Sequence, residues 1–312
     1  MASNQPSVFI DGEAGATGVA IRQLLERVRE VTLRSLPEAQ RKDPSARQDM
    51  MAASDLVVLC LPDEAAREAS ALAEALGSNT PKLLDASTAH RVDPAWTYGF
   101  PEMAPDQPGK IAMSRKVSNP GCYPTGAIGL LRPLVQAGLV PPDYPITISA
   151  VSGYSGGGRS MIEARDRTGG PAFELYSLGL EHKHVPEIKH FAGLTRRPIF
   201  MPSVGHFRQG MLVSVPLYLD DLPGRPTGAD LREALCAFYE GLEHVTVAAG
   251  NGTGRLEPEA INATDLLELY VCANELRRQS VLVARLDNLG KGASGAAVQN
   301  LRLMLDLDSR PN

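Results

Sequence analysis

One apolar run constrains the fold of this chain more than any other segment: Asp55-Leu56-Val57-Val58-Leu59-Cys60-Leu61. A nearly continuous run of this length is typical of a strand buried on both faces of a parallel sheet. Shorter apolar runs predict strands at residues 7–11 and 82–85, and the segment from Glu64 to Leu76 predicts a helix that ends at Gly77. Strands alternating with helices predict a doubly wound α/β fold for this part of the chain.

A glycine-rich turn follows the first predicted strand and opens the first predicted helix. Its spacing is Gly-x-x-Gly-x-x-Gly, which occurs in plain tight turns as well and is weak by itself. Glycines between a strand and a helix allow the backbone to approach a pyrophosphate, which the helix start attracts. The position therefore predicts a Rossmann-like dinucleotide-binding domain, with its contacts at Gly12, Gly15, Ala16, Thr17 and Gly18.

The end of the second predicted strand indicates which dinucleotide binds. Domains that bind NAD usually carry an acidic residue about 20 positions after the glycine turn, for the ribose 2′-hydroxyl. Here the strand over residues 31–36 ends with Arg34 and Ser35 and has no acid. These side chains suit a 2′-phosphate and predict NADP(H), and a solvated surface charge is the alternative interpretation of Arg34.

The pattern changes in the second half of the chain. Strand-like runs follow one another with few helices between them, at residues 146–152, 211–219, 245–248, 267–273 and 281–286. Such a series predicts an α+β domain with an open mixed or antiparallel sheet. Because 312 residues are many for one core, we expect a dinucleotide-binding domain of residues 1–121 and 290–312, and a catalytic domain of residues 122–289.

A single cysteine stands out at the junction of these domains. Cys122 follows an Asn-Pro-Gly turn and begins a segment with apolar residues at helical spacing. A thiol in the first turn of a helix meets unpaired N–H groups and the positive end of the dipole, which favour the nucleophilic thiolate. The helix end supplies only about 0.3–1 kcal/mol, so a second group, most simply a histidine, should help. A small buried residue is the alternative interpretation.

Two histidines are candidates for that second group. His184 and Glu187 are three residues apart, so a helical turn would let the carboxylate orient the imidazole. His206 is the competing base. A metal site formed by His182, His184 and His190 lacks a completing cysteine or acid, and we predict no metal.

Other polar segments predict anion contacts. Residues 151–159 form a glycine-rich loop after a strand, which would bring backbone N–H groups, Ser152 and Arg159 near an anion. A flexible connector is the alternative interpretation of this loop. Arg208 is suited to a carboxylate or phosphate. Residues 85–91 follow a strand of the first domain, where open α/β sheets bind ligands, and we expect Ser87 to touch the cofactor. Residues 101–110 are turn-rich and predict an exposed loop.

Composition excludes several classes of partner. The net charge of −5 provides no basic surface for nucleic acid or for an anionic membrane. No apolar run approaches a membrane span, and the first residues lack the features of a secretory signal. The four cysteines have neither disulfide nor zinc spacing, so we expect a cytoplasmic protein.

These motifs together resemble the N-acetyl-γ-glutamyl-phosphate reductase family of arginine biosynthesis, in its shorter (type 2) form. The Asn-Pro-Gly-Cys-Tyr-Pro-Thr element is highly specific, whereas the glycine turn is not. The resemblance runs nearly end to end, through residues 12–18, 85–91, 118–125, 152–159, 182–187, 207–211 and 287–292. It implies a semialdehyde dehydrogenase-like fold in which the second domain is also the site of homo-oligomer formation, as a dimer or tetramer.

The resemblance also implies an activity and roles for residues. The reaction would be NADPH-dependent reduction of a small acyl phosphate, N-acetyl-γ-glutamyl phosphate, to N-acetylglutamate semialdehyde through a Cys122 thioester. His184 would be the acid/base, supported by Glu187. The remaining implied contacts are the oxyanion donors Asn119 and the Cys122 N–H, the substrate arginines Arg91, Arg159 and Arg208, and the nicotinamide neighbours Asn288 and Gly290.

Three other functions remain open at this point. Aspartate-semialdehyde dehydrogenase would share the two-domain plan and the thioester. A thiol hydrolase would resolve the thioester with water, and the dinucleotide turn argues against it. A dinucleotide sensor without catalysis would leave Cys122 and His184 without a use.

Overall fold

The computed structural model describes residues 5–249 and 254–308, except for the side chains of residues 159 and 160. The described residues form two compact units, which divide after Pro120 and after Gly292. The domain limits expected from the sequence differ from these by one residue and by three.

The first unit contains a six-stranded sheet. Its strands are β1 (Ser7–Asp11), β2 (Thr32–Arg34), β3 (Leu56–Leu59), β4 (Lys82–Asp85), β5 (Thr97–Tyr98) and β6 (Lys116–Ser118). They lie in the order β2-β1-β3-β4-β6-β5, and all neighbouring pairs are parallel. The strand order reverses between β1 and β3, and open α/β sheets bind ligands at the carboxyl ends of strands at such a switch point.

Helices cover both faces of this sheet. They are α1 (Ala16–Leu25), α2 (Pro44–Ala52), α3 (Asp63–Glu74) and α4 (Gln107–Met113). Ile21 of α1 packs in a cluster with Val8 and Ile10. Ala69 of α3 packs in a second cluster with Val57. Alternate residues of β1 and β3 enter different clusters, so both strands are buried along their whole length, which confirms the prediction for β3.

The second unit contains a seven-stranded mixed sheet. Its strands are β7 (Thr147–Gly153), β8 (Phe173–Leu175), β9 (Ile199–Gly205), β10 (Met211–Tyr218), β11 (Val245–Val247), β12 (Leu267–Asn274) and β13 (Gln279–Leu286). Their order is β11-β12-β13-β10-β7-β9-β8, with parallel pairing of β11 to β12 and of β7 to β9 and antiparallel pairing elsewhere. The two sheets confirm the predicted fold class, an α/β unit followed by an α+β unit.

One long helix covers the middle of the second sheet. The helices of this unit are α5 (Cys122–Gln136), α6 (Gly158–Thr168), α7 (Val185–Phe191) and α8 (Gly228–Phe238). Helix α5 packs on β10, β12 and β13 and is flanked by α7 and α8. A Cβ atom at Gly126 would lie 2.9 Å from Val213 Cγ2, so this glycine lets the helix approach the sheet closely. The packing holds the start of α5, and therefore Cys122, in a defined place.

The chain ends in the first unit. After a π-helical turn at Gly290–Ser294, helix α9 (Gly295–Met304) buries Ala297, Leu301 and Met304 in the same cluster as Val8 and Ile10. No helix in the described ranges is long and apolar enough to cross a membrane.

Two loop predictions were wrong. Residues 101–110 are not an exposed loop: Pro101–Met103 is a buried 3₁₀ turn and Gln107–Met113 is α4. Their prolines stand at helix starts, where no N–H is needed, and Gln299 Nε2 donates to Glu102 Oε1 at 2.8 Å. The glycine-rich stretch at 151–159 is the end of β7, a 3₁₀ turn and the beginning of α6 rather than an open loop.

Candidate active site

The glycine turn of the first unit has the backbone that a pyrophosphate requires. Gly12 has φ +89°, and a Cβ there would lie 2.3 Å from the Cys60 carbonyl oxygen. A Cβ at Gly18 would lie 2.5 Å from the Gly12 oxygen. Gly15 is the N-cap of α1, which begins at Ala16, followed by Thr17. The turn therefore excludes side chains at its two tightest points and presents the start of α1, and it fits a dinucleotide.

A cavity of about 630 Å³ lies beside this turn at the switch point. Its charged lining residues are Asp11, Glu13, Glu38, Arg41, Lys42 and Arg47. Arg47 Nη2 lies 2.6 Å from Asp11 Oδ2. Burial raises the pKa of Asp11, and the hydrogen bond from Arg47 opposes that shift. The lining of the cavity thus includes the ion pair of Asp11 and Arg47 and two further basic residues, Arg41 and Lys42.

Glu13 is a buried carboxylate inside the glycine turn. It pairs with Arg22 Nη1 at 2.7 Å and with Arg41 Nη2 at 2.8 Å, and it accepts a hydrogen bond from Ser35 Oγ at 2.8 Å. Two arginines neutralise this acid, so the site is not the negative one that selects a ribose 2′-hydroxyl. Sequence reasoning missed Glu13 and Arg41, although an acid within the glycine turn and the Arg41-Lys42 pair were visible signals.

The structure separates the two residues predicted to bind the 2′-phosphate. Arg34 is exposed at the end of β2, whereas Ser35 contacts Glu13. Among the residues described, neither Arg34 nor Ser35 lines the cavity. In the segment after β2, the lining residues begin at Leu36 and include Arg41 and Lys42.

A network of hydrogen bonds orders the loop after β4. Asp85 is fully buried, accepts from Ser87 N at 2.9 Å and Ser87 Oγ at 2.8 Å, and pairs with His90 Nδ1 at 2.6 Å. The His90 ring stacks on Trp96, with centroids 4.2 Å apart. The predicted cofactor residue Ser87 therefore has its hydroxyl turned toward Asp85.

Arg91 and Asn119 join the ends of β4 and β6. Arg91 is buried, and its Nε donates to the Asn119 carbonyl at 2.9 Å. The Asn119 amide donates to the Ala293 carbonyl at 2.9 Å and accepts from Asn300 Nδ2 at 3.0 Å. Both side chains brace the first unit through these contacts, a role that sequence reasoning did not foresee.

Cys122 is the first residue of α5. Gly121 is its N-cap, with extended backbone, and the Gly121 carbonyl accepts from the Thr125 N–H and the Thr125 hydroxyl, each at 2.9 Å. Cys122 is partly exposed. A Cβ at Gly292 would lie 2.9 Å from Cys122 Cβ and 3.3 Å from Cys122 Cα, so the last turn of this unit packs closely against Cys122 and has no room for a side chain.

The segment carrying His184 meets the residues on both sides of Cys122. His184 is the buried N-cap of α7, and its ring centroid lies 5.9 Å from that of Tyr123. Glu187 is buried, and its Oε1 accepts the Gly121 N–H at 2.8 Å. His184 and Glu187 thus lie at the start of α5, and Glu187 accepts a hydrogen bond from the turn that precedes Cys122.

His206 and Arg208 lie on a loop between β9 and β10. Both are exposed, and the His206 ring centroid lies 6.4 Å from that of Tyr154. The Arg208 carbonyl accepts from Ser155 N at 3.0 Å. Ser152 is buried, and its hydroxyl donates to the Gly153 carbonyl at 3.0 Å. The side chain of Arg159 lies outside the part of the chain that is described.

Asn288 connects two loops of the second unit. Its Oδ1 accepts the Gly210 N–H at 2.8 Å, and its Nδ2 donates to Ser155 Oγ at 2.9 Å. At Gly290 a Cβ would lie 2.2 Å from the Thr264 carbonyl oxygen. These two predicted nicotinamide neighbours therefore have contacts that shape the loops beside β13.

No three metal-ligating side chains come together within the residues described.

The fold and the cysteine site define a protein of the semialdehyde dehydrogenase class. A family model described as "Semialdehyde dehydrogenase, dimerisation domain" matches residues 122–288. An aspartate semialdehyde dehydrogenase II of Vibrio cholerae, complexed with ASA, is similar with a TM-score of 0.71 and 16% identity over 97% of this chain and 99% of that one. An aspartate semialdehyde dehydrogenase of Candida albicans with NADP is similar with a TM-score of 0.67 and 15% identity over 96% and 98%.

Sequence comparison defines the family more narrowly. The "N-acetyl-gamma-glutamyl-phosphate reductase 2" of Pseudomonas putida is 51% identical over 306 residues, which are 96% of this chain and 97% of that protein. The N-acetyl-gamma-glutamyl-phosphate reductase of Chelativorans sp. is 51% identical over 305 residues, with the same shares. The chain belongs to the N-acetyl-γ-glutamyl-phosphate reductase family, as the motifs indicated.

Proposed function

We propose that this chain catalyses the NADPH-dependent reduction of N-acetyl-γ-glutamyl phosphate to N-acetylglutamate semialdehyde, with release of phosphate. The observation that carries the proposal is the identity of about one residue in two, over nearly the whole chain, to reductases named for this substrate. The likeness to aspartate semialdehyde dehydrogenases is at 15–16% identity and concerns the fold alone.

Cys122 is the nucleophile in this proposal. Its sulfur, as thiolate, attacks the carbonyl carbon of the acyl phosphate. The bond from that carbon to the phosphate oxygen breaks, its electron pair leaves with phosphate, and a thioester remains on Cys122. The Cys122 N–H, in the first turn of α5, is the candidate donor to the oxygen that becomes negative. Because the Asn119 amide is bonded to Ala293 and Asn300, we assign it to bracing rather than to the oxyanion.

His184 accepts the proton of the Cys122 thiol and returns a proton when the sulfur leaves. Its burial at the start of α7 and its contact with Tyr123 support this assignment over the exposed His206. Glu187 holds the Gly121 N–H and with it the cysteine turn. Arg208, which is exposed, is the candidate for an anionic group of the substrate.

The glycine turn and its cavity hold the cofactor in this proposal. NADPH, when bound, supplies the hydride that converts the thioester to the aldehyde. Gly12, Gly15 and the N–H groups at the start of α1 receive the pyrophosphate. Arg41 and Lys42, which line the cavity, receive the 2′-phosphate. The Candida albicans neighbour, which is similar in fold, is described with NADP.

The reverse reaction tests the proposal. We expect purified enzyme to reduce NADP⁺ with N-acetylglutamate semialdehyde and phosphate, measured by the absorbance of the reduced cofactor. Turnover with aspartate semialdehyde in its place would favour the alternative dehydrogenase. Absence of any phosphate-dependent reduction would instead favour a thiol hydrolase or a sensor.

Arg41→Ala should weaken NADPH binding by about 10- to 100-fold, because one charge-assisted hydrogen-bonded contact contributes roughly 1.5–3 kcal/mol. Binding of NADH should change little. Titration calorimetry with NADPH, NADH and adenosine 2′,5′-bisphosphate measures the three affinities. Arg34→Ala is the matched control and should bind NADPH normally. If Arg34→Ala weakens NADPH and Arg41→Ala does not, the 2′-phosphate belongs to the end of β2.

The second unit also supports an oligomer. Helices α5 and α8 pack on one face of its sheet, whereas on the other face the side chains of β10, β12 and β13 alternate to partial exposure. Val281 is 38% exposed and Tyr218 is 60% exposed on these strands. We propose that a second copy of the chain covers this face, which agrees with the description of the matching family model.

Val281→Glu should convert the oligomer to monomers, since it places a charge in an apolar contact. Light scattering after size-exclusion chromatography measures the mass. Leu276→Glu, at a 96% exposed position in the turn between β12 and β13, is the control and should keep the oligomer. A wild-type monomer would contradict the interface.

A cytoplasmic location remains a prediction of the sequence.

A further inference from the structure

A second histidine lies beside His184 with a defined hydrogen bond. The backbone N–H of His184 donates to His182 Nδ1 at 3.1 Å. The two ring centroids are 4.7 Å apart, and the rings meet edge to face. An imidazole that accepts at Nδ1 and is neutral carries its proton on Nε2. The bond therefore defines both the tautomer of His182 and the position of the His184 backbone.

Aromatic side chains from three segments enclose the His182 ring. The centroid of Phe200 on β9 lies 5.1 Å away, that of Tyr176 after β8 lies 5.7 Å away, and that of Tyr123 on α5 lies 6.0 Å away. All three meet the imidazole edge to face. The ring thus joins α5, β9 and the segment after β8 to the loop that leads into α7.

We propose that His182 is a positioning residue, which holds the backbone of His184 at the start of α7 and remains an uncharged neighbour while His184 takes up a proton. The inference rests on the proposed roles of Cys122 and His184. In this inference His182 positions the base, His184, and does not contact the substrate.

The charges around His182 agree with a neutral ring. Burial, with a smaller contribution from the Lys183 ammonium, lowers the pKa of His182 to about 4. Burial also raises the pKa of Tyr176 to about 12 and that of Tyr123 well above its ordinary value. Both phenols therefore stay protonated near neutral pH, and Phe200 carries no charge. A positive charge on His182 would oppose protonation of His184 at this separation.

Two substitutions of His182 test the contribution of its hydrogen bond separately from that of its aromatic ring. His182→Phe keeps an aromatic ring and removes the acceptor for the His184 N–H. His182→Asn removes the ring and keeps an oxygen at the position of Nδ1. We expect kcat to fall by about 10- to 100-fold in the phenylalanine variant, with little change in KM, and to recover to within a few-fold of wild type in the asparagine variant. His190→Asn, at an exposed position of α7, should match wild type.

Alkylation of Cys122 by iodoacetamide provides a readout that does not need the substrate. Mass spectrometry should show slower modification of Cys122 in His182→Phe at neutral pH and a rate restored by His182→Asn. The exposed Cys236 is the internal reference and should react equally in all variants. Circular dichroism melts identify any variant that fails to fold.

Nitrogen-15 NMR of the histidine rings tests the tautomer directly. We expect His182 to carry its proton on Nε2 and to titrate near pH 4. A proton on Nδ1, or a titration at the ordinary histidine pKa, would overturn the inference, as would equal alkylation and kcat in His182→Phe and wild type. An enzyme without activity on N-acetyl-γ-glutamyl phosphate would contradict the proposed function, while alkylation and NMR would still decide the role of His182.

Discussion

Cys122→Ser is expected to reduce turnover by at least about 10³-fold, equivalent to roughly 4 kcal/mol of transition-state stabilisation. A serine hydroxyl in the first turn of α5 would face the same N–H groups, but it does not ionise near neutral pH and is a poor nucleophile without strong activation. NADPH affinity should be unchanged, because the glycine turn and the cavity belong to the first unit. Steady-state kinetics and titration calorimetry measure the two effects separately.

Detection of the thioester on Cys122 tests covalent catalysis more directly than steady-state kinetics does. Wild-type enzyme mixed with N-acetyl-γ-glutamyl phosphate, without cofactor, should gain the mass of the acyl group on Cys122, and Cys122→Ser should not. Cys236→Ser is the matched control, since Cys236 is exposed on α8, and it should keep full activity and the adduct. Full activity of Cys122→Ser would contradict covalent catalysis.

His184→Asn is expected to slow acylation by about 10²- to 10⁴-fold, the usual contribution of a general acid/base. Asparagine retains a short polar side chain at the start of α7 but cannot take up a proton. The rate of phosphate release in a single turnover, followed across pH, isolates this step from hydride transfer. The variant should also lose the limb of the pH–rate profile that belongs to the base.

His206→Asn is the comparison for this prediction. His206 is exposed and lies beside Tyr154, so its loss should change KM more than the acylation rate. The opposite result, an unaffected His184→Asn together with an inactive His206→Asn, would move the role of base to the loop between β9 and β10.

Local sequence pattern predicted much of the first unit. The run at 55–61 became β3, the residues from Glu64 became α3, and the glycine turn lies between β1 and α1. These elements follow from periodicity and capping, which depend on neighbouring residues only. Helix α2 and strand β9 were not predicted, and the turn-rich stretch at 101–110 was misassigned. In that stretch prolines signalled a loop, whereas burial of Pro101 and Met103 shows that tertiary packing determined the outcome.

In the candidate site, too, local features were predictable from the sequence and contacts between distant residues were not. Cys122 was identifiable because its turn and helix are contiguous in the chain. The partner of Glu187 was not, since Gly121 lies 66 residues away. Arg22 and Arg41 likewise meet Glu13 only because α1 and the segment after β2 converge on the glycine turn. The sequence pointed to Arg34 for the cofactor because strand position was the available guide, and only the structure showed that Arg41 lines the cavity.

By itself the sequence determined the class of fold, the family, and the cysteine at the start of a helix, because each depends on residues adjacent along the chain. Only the tertiary structure decided that Glu187 holds the cysteine turn, that His182 accepts from His184, and that two arginines neutralise Glu13. The contacts of Glu187 and Glu13 join residues whose separation in space is set by the packing of helices and sheets, whereas the bond between His182 and His184 depends on the backbone conformation between them. Their energies depend on burial and on distances of about 3 Å, which no linear pattern of residues specifies.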